Sequence, residues 1–462
     1  MLVPLRNAKF AFQPDWPALT NLDIELDFIN DGLWMKTDGV NLGGVRASNL
    51  TAVIPDYSKE KLLIDADIKG PGKAVGPYFD ETPLKDSLGA TLQELQLDGD
   101  VNARLHLDIP LNGELVTAKG EVTLRNNSLF IKPLDSTLKN LSGKFSFING
   151  DLQSEPLTAS WFNQPLNVDF STKEGAKAYQ VAVNLNGNWQ PAKTGVLPEA
   201  VNEALSGSVA WDGKVGIDLP YHAGATYNVE LNGDLKNVSS HLPSPLAKPA
   251  GEPLAVNVKV DGNLNSFELT GQAGADNHFN SRWLLGQKLK LDRAIWAADS
   301  KTLPPLPEQS GVELNMPPMN GAEWLALFQK GAAESVGGAA SFPQHITLRT
   351  PMLSLGNQQW NNLSIVSQPT ANGTLVEAQG REINATLAMR NNAPWLANIK
   401  YLYYNPSVPK THGDSTNSSP FPTTERISSV AGRTHKYDAQ SAGSGGKNSG
   451  ALTVISPFLA IH

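Results

Sequence analysis

The sequence predicts a mainly β protein: an elongated, twisted antiparallel sheet with one apolar face and a few short helices. Three observations carry this. In the stretch Leu97–Ile131, Val101, Ala103, Leu105, Leu107 and Ile109 alternate with Asn102, Arg104, His106 and Asp108, the period-two mark of a strand with one buried and one wet face. The 462 residues include 40 Gly and 32 Pro, which suits many turns rather than long helices. The alternation also returns over most of the chain, which is longer than one ordinary compact core needs, so several domains or one elongated repeat are expected.

Taken in order, Leu22, Ile24, Leu26 and Phe28 alternate with Asp23, Glu25 and Asp27 as a first clear strand, and Asn30-Asp31-Gly32 turns it. Leu62, Ile64, Ala66 and Ile68 form another, closed by Gly70-Pro71-Gly72. Pro83–Leu95 breaks the pattern, because Leu84, Leu88, Leu92 and Leu95 lie at helical spacing behind Thr82 as a cap. In the stretch that follows, Asn112-Gly113 is a hairpin turn and Asn126-Asn127 a second one, with Val122 and Leu124 on the apolar face between them. Leu141–Phe147 and Leu166–Phe170 are strands, with Asn149-Gly150 as a turn between them, and Tyr179, Val181, Val183 and Leu185 share one face of the next.

Pro198–Leu205 reads as a second short helix, followed by a strand carrying Val209, Trp211, Val215, Ile217 and Leu219. Tyr227–Leu235 and Leu254–Val260 continue, the former with Val229 and Leu231, the latter with Val256 and Val258. Pro243–Pro245 and Pro304–Pro307 are stiff corners that belong at sheet edges or in connections. Glu323–Phe328 is helical, Gly337-Gly338 ends that stretch, and Ile346–Pro351 and Leu363–Val366 are strands. The spacing of about 115 residues between Pro83 and Pro198 suggests a degenerate repeat of one helix and several strands. The expected units are 1–190, 191–310 and 311–404, and residues 405–462, rich in Ser, Gly, Pro and Asn, read as a largely disordered or aberrant tail.

Composition excludes several functions. The net charge of −8 argues against nucleic acid and against electrostatic docking on anionic lipid. The absence of Cys removes disulfides, thiolate metal sites and Cys nucleophiles. No run of about 18 apolar residues exists, and the start MLVPLRNAKFAF does not read as an export signal. The eight His lack metal-ligand spacing, and the carboxylates Asp23, Glu25 and Asp27 alternate with apolar residues as a wet strand face does. Gly443–Lys447 is not a phosphate loop, because Asn448 stands where Ser or Thr is needed. Catalytic residues, metals and cofactors are therefore not expected. Trp189, Trp211, Trp283, Trp296 and Trp360 read as core or edge packing before ligand platforms.

The remaining signal is collective. A continuous apolar face of this length has to fold over as a sandwich, close as a barrel, or stay open as a groove around something apolar. Four segments, Leu97–Leu111, Leu141–Gly150, His241–Leu254 and Pro394–Leu402, resemble the AsmA-like envelope proteins in order and spacing over about residues 1–426. The resemblance implies an elongated β-sheet forming an open hydrophobic groove, anchored in the inner membrane by an N-terminal helix and crossing the periplasm. Its implied partners are phospholipid acyl chains and components of the inner and outer membranes. Beside the family, the chain is expected to be a fragment without the anchor, and its change of composition near Ile427 reads as truncation or a frameshift. The candidate groove residues are Leu105, Leu107, Ile109, Val122, Leu124, Val181, Val183, Leu185, Val229, Leu231, Val256 and Val258. The alternative is a non-catalytic envelope assembly protein with a closed β core.

Overall fold

The computed structural model describes residues 1–11, 17–82, 85, 89–132, 136–195, 197–286, 288–332 and 340–406. Pro83, Leu84, Leu88, Gly337-Gly338 and almost all of the expected tail, from residue 407, lie outside the described residues. Among the described residues 27 strands join in one sheet. Leu2–Phe10, Leu19–Ile29, Gly32–Leu42, Val45–Ile54 and Lys61–Pro71 pair in succession, each antiparallel to the last. Asp100–Pro110, Thr117–Ile131 and Ser136–Ile148 continue the ladder. Through Leu157–Trp161 and Gln164–Glu174 it reaches Ala178–Trp189, Val209–Pro220, Thr226–Asp234 and Ala255–Asn263. Ser266–Ala273, Asn277–Leu284 and Leu289–Ala298 follow. The far end is Ile346–Leu355, Gln358–Thr370, Gly373–Gln379, Ile383–Arg390 and Leu396–Leu402.

Local chemistry explains the turns. Asn30 and Asn149 adopt φ of 52° and 53° in the two-residue connections after Ile29 and Ile148, the left-handed conformation that Asn tolerates better than most residues. The turn expected at Asn126-Asn127 does not occur. Asn126 has φ 54°, but it forms a bulge inside the continuous strand Thr117–Ile131. Asn127 is fully buried there: its Nδ2 donates to the carbonyls of Asp98 and Asp100, both at 3.1 Å, and its Oδ1 accepts from the Arg125 amide at 2.7 Å. These bonds clamp the point where Thr117–Ile131 exchanges one partner, Asp100–Pro110, for another, Leu95–Asp98.

The sheet is also not antiparallel throughout. Leu289–Ala298 runs parallel to Gly311–Asn315, which runs parallel to Ile346–Leu355. A parallel pair needs a crossover. The proline corner supplies the first one: it does not reverse the chain but carries it over the polar-side face of the sheet. There the Pro304 carbonyl accepts from Asn280 Nδ2 and the Pro307 carbonyl from Arg293, both at 3.3 Å, and Ile295, Ala297 and His278 are buried.

Among the described residues, helical turns form at each of the three expected places. Around Pro83–Leu95 the helical turns are Val75–Phe79 and Ala90–Glu94, and Pro198–Leu205 yields Glu199–Asn202 before strand resumes at Leu205. Glu323–Phe328 lies within a longer helix, Gly321–Ala332. Asn320 caps it, accepting from the Ala322 amide at 3.1 Å and donating to Glu323 at 2.7 Å.

One carboxylate locks the last strands. Glu382 is 5% exposed and accepts from the Asn361 amide and side chain at 2.6 and 2.8 Å, and from Asn405 at 3.2 Å. Burial alone would raise its pKa, but the donated hydrogen bonds outweigh burial and hold it below the ordinary 4.5. A depressed folded pKa stabilises the fold above the unfolded value and loses that contribution as pH falls through the folded value. Amide protection relative to the unfolded chain in Gln358–Thr370 and Ile383–Arg390 is therefore expected to fall on acidification below pH 4.5. Glu382→Gln is expected to flatten that dependence; an unchanged acid profile in the variant would assign it to other groups.

Candidate functional site

Residues opposite one another in a ladder point to the same face, so the register can be followed side chain by side chain. Leu105 lies opposite Ala66 and Gly120, Leu107 opposite Ile64, and Ile109 opposite Leu62. Val122 and Leu124 lie opposite Phe145 and Gly143. Farther on, Val181, Val183 and Leu185 face Ile217, Val215 and Gly213, which face Tyr227, Val229 and Leu231. Leu231 and Gly233 face Val258 and Val256. The pairings connect all twelve candidate residues on one face. The same face continues through Phe279, Trp296, Leu314, Leu348 and Ile365 to Val376 and Leu387.

The opposite face is laced by polar side chains. Asn167 and Asn186, Asn184 and Asp169, Gln180 and Asp218, and Asn257 and Asn232 hydrogen-bond across neighbouring strands at 2.7–2.9 Å. His106 belongs to that side, with Nδ1 2.8 Å from Asp65. Among the described residues, no group of three or more His, Asp or Glu side chains is arranged to hold a metal ion.

Cover over the apolar face varies along the sheet. Val101, Ile109, Val122, Leu124 and Val181 are buried, and Leu157 is 1% exposed. Leu105, Leu107, Val183, Leu185, Val229, Leu231, Val256 and Val258 are only half-buried. Between Val183 and Val258 the apolar row thus keeps access to solvent. On the opposite, polar face a concavity of about 700 Å³ crosses the strands at one end of this region, its lining including Ser146, Gln153, Ser171, Ala182 and Asp218. Tyr179, 1% exposed, closes the strand end there with hydroxyl bonds of 2.7 Å to the Gly150 carbonyl and Thr172.

Glycines keep the floor of this face low. A Cβ on Gly271 would fall 1.9 Å from the Phe279 ring, one on Gly262 2.5 Å from Tyr227, and one on Gly120 2.7 Å from Phe147. Each ring lies flat over a neighbouring strand because no side chain stands beneath it. Gly271→Ala is expected to lift Phe279 off the sheet and cost about 1–3 kcal/mol as an overpacking change, measured by urea unfolding. A stability equal to wild type would mean that the ring had another place to go.

Sequence reasoning missed Trp161 and Phe162. They stack at 4.8 Å, and edge-on contacts connect Trp161 to Trp189 at 6.3 Å and Trp189 to Trp211 at 4.8 Å. No element is expected from the sequence at Trp161, which ends the short strand Leu157–Trp161, and its ring partners Trp189 and Phe162 lie outside that strand.

The sheet curls toward its apolar face. Val209–Pro220 and Ile346–Leu355 are seven pairings apart, roughly 34 Å on a flat sheet. Helix Gly321–Ala332, about 18 Å long, nevertheless spans from Ile346–Leu355 to the segment just before Val209: Lys330 pairs with Glu203 and Trp324 donates to the Ser244 carbonyl at 3.1 Å. Trp324 packs with Ala298, Met316, Met319 and Leu348, so the helix forms a chord on the concave side.

The family model described as YhdP protein matches residues 1–441. Over 427 residues the chain is 98% identical to the intermembrane phospholipid transporter YhdP of Escherichia coli (strain K12). The matched region covers 92% of this chain and 34% of that protein, so the chain spans about a third of the length of this curated relative.

Proposed function

The chain belongs to the YhdP protein family, and from that membership we propose that it forms part of a conduit for phospholipid between the inner and outer membranes, holding acyl chains along its apolar face. The observation that carries this reading is the unbroken apolar row, half-buried from Val183 to Val258. Acyl methylenes laid on it gain about 0.8 kcal/mol each from leaving water. That attraction is non-directional, so it holds a chain without fixing its position and permits sliding. The head group, which has no matching polar set on this face, stays in water at the rim.

The twelve candidate residues act in this reading as a continuous floor rather than as a site. The units 1–190, 191–310 and 311–404 are successive lengths of it, and an envelope location follows from the cargo. The experiment is organic extraction of the purified protein followed by lipid mass spectrometry. Co-purifying phospholipid supports the conduit. A stable, monodisperse, lipid-free protein would favour the second reading, a structural envelope protein with a sealed core, for which the buried clusters around Leu157 and Leu348 are the supporting observation.

A further inference from the structure

We propose that helix Gly321–Ala332 is a strap that interrupts the apolar path and has to lift before an acyl chain can pass from the region of Val183–Val258 to the strands beyond Ile346. The proposal rests on the conduit reading above.

The blockage is steric. Trp324 enters a cluster with Ala298, Met316, Met319 and Leu348, which are 3–6% exposed, and with Trp296, Leu314 and Ile365 around them. Trp296, Leu314, Leu348 and Ile365 are successive members of the apolar row. An acyl chain following the row from Val258 meets a packed indole at this level, not open floor. Such a path closes because protein side chains already fill it, and the Trp324 contacts would have to be exchanged for contacts with lipid.

The attachment of the strap is suited to reversible release. Its far end is held by the Lys330–Glu203 ion pair, in which both side chains are 52% exposed, and exposed pairs hold weakly. Its near end is fastened more firmly: Gly321 lies against Leu353 and the Ser354 carbonyl, where a Cβ would approach to 3.2 Å, and the Asn320 cap fixes the first turn. A helix fixed at its first turn swings about Asn320 once the Trp324–Ser244 bond, the indole packing and the exposed ion pair let go. The floor beneath it is apolar, as the open floor is, so acyl methylenes can replace the indole with little change in apolar burial.

The test uses the full chain, whose lack of cysteine makes labelling clean. Glu203→Cys and Lys330→Cys are joined by a short bismaleimide, and the photo-crosslinking amino acid p-benzoylphenylalanine replaces either Val229 or Leu314. The protein is incubated with phosphatidylethanolamine vesicles and irradiated. Adducts at position 229 are expected in both tethered and untethered protein. Adducts at position 314 are expected in the untethered protein and lost on tethering. Trp324→Ala, checked for an unchanged melting profile of the remaining strands, is expected to increase adducts at 314. Equal adducts at 314 with and without the tether would overturn the strap, since lipid would then pass beneath the seated helix. Adducts at 229 with none at 314 in any form would overturn it too, making the helix a permanent wall. Loss of adducts at 229 as well would instead count against the conduit.

Discussion

Val183→Asp is expected to strip phospholipid from the middle of the sheet while leaving its strands paired. Val183 is half-buried on the apolar face between Phe170 and Val215. In the empty protein an aspartate there keeps much of its water, and the cost to stability is about 1–3 kcal/mol. Under an acyl chain it loses that water with no cation opposite, at several kcal/mol per charge. A net penalty of about 3 kcal/mol lowers lipid affinity roughly a hundredfold. Ala182→Asp provides the control, because Ala182 is exposed on the other face between Ser171 and Gly216. Lipid mass spectrometry of both variants should show loss in the first and retention in the second. Equal retention would mean that acyl chains do not lie on this row.

Asn127→Leu should be the most destabilising single change in the first part of the sheet. The side chain is fully buried and makes three hydrogen bonds to backbone groups. Leucine has a similar size but leaves two carbonyls and an amide without partners, and an orphaned buried group costs about 1–3 kcal/mol. Because the three share one site, their losses do not add fully, and a total of about 4 kcal/mol is expected. In a sheet this extended, unfolding need not be two-state, so the loss should be read locally, as faster amide exchange in Leu95–Asp98 and Thr117–Ile131. Asn126→Gly is the companion variant: its φ of 54° suits glycine, and the bond from its amide to Ser142 is retained. Near-wild-type exchange is expected there. If Asn127→Leu also exchanged like wild type, water would have to be replacing the lost bonds.

The same two asparagines illustrate what a sequence conveys. Asn accepts the left-handed conformation in a hairpin turn and in a bulge alike, so Asn126-Asn127 signals a backbone event without saying whether the strand ends. The answer depends on Asp98 and Asp100, whose carbonyls reach Asn127 only once Leu95–Asp98 has paired. That the twelve candidate residues share one face was legible because the side-chain period is two and antiparallel register preserves it from strand to strand; one slip would have moved a whole set to the polar face. Direction was not legible. Leu303–Pro307 shows that pairing stops, but whether the chain then returns as a hairpin or crosses to the far rim depends on Gly311–Asn315 and its neighbours. Trp324 was read as helical and apolar, and nothing near it in sequence indicates that its cluster includes Ala298 and Leu348.

The sequence order of the ladder has a consequence for synthesis. Up to Leu284, strands find their partners within one or two strands of themselves in the chain. A polypeptide emerging from the ribosome can therefore lengthen the sheet as it is made, each new strand closing the edge left by its predecessor, with mostly short loops and the three longer connections 72–99, 190–208 and 235–254 to order. That rhythm stops at Gly311–Asn315, whose free side pairs with Ile346–Leu355. Until those residues have been made, the growing sheet presents a bare parallel edge, its most vulnerable interval for adhesion to another nascent chain.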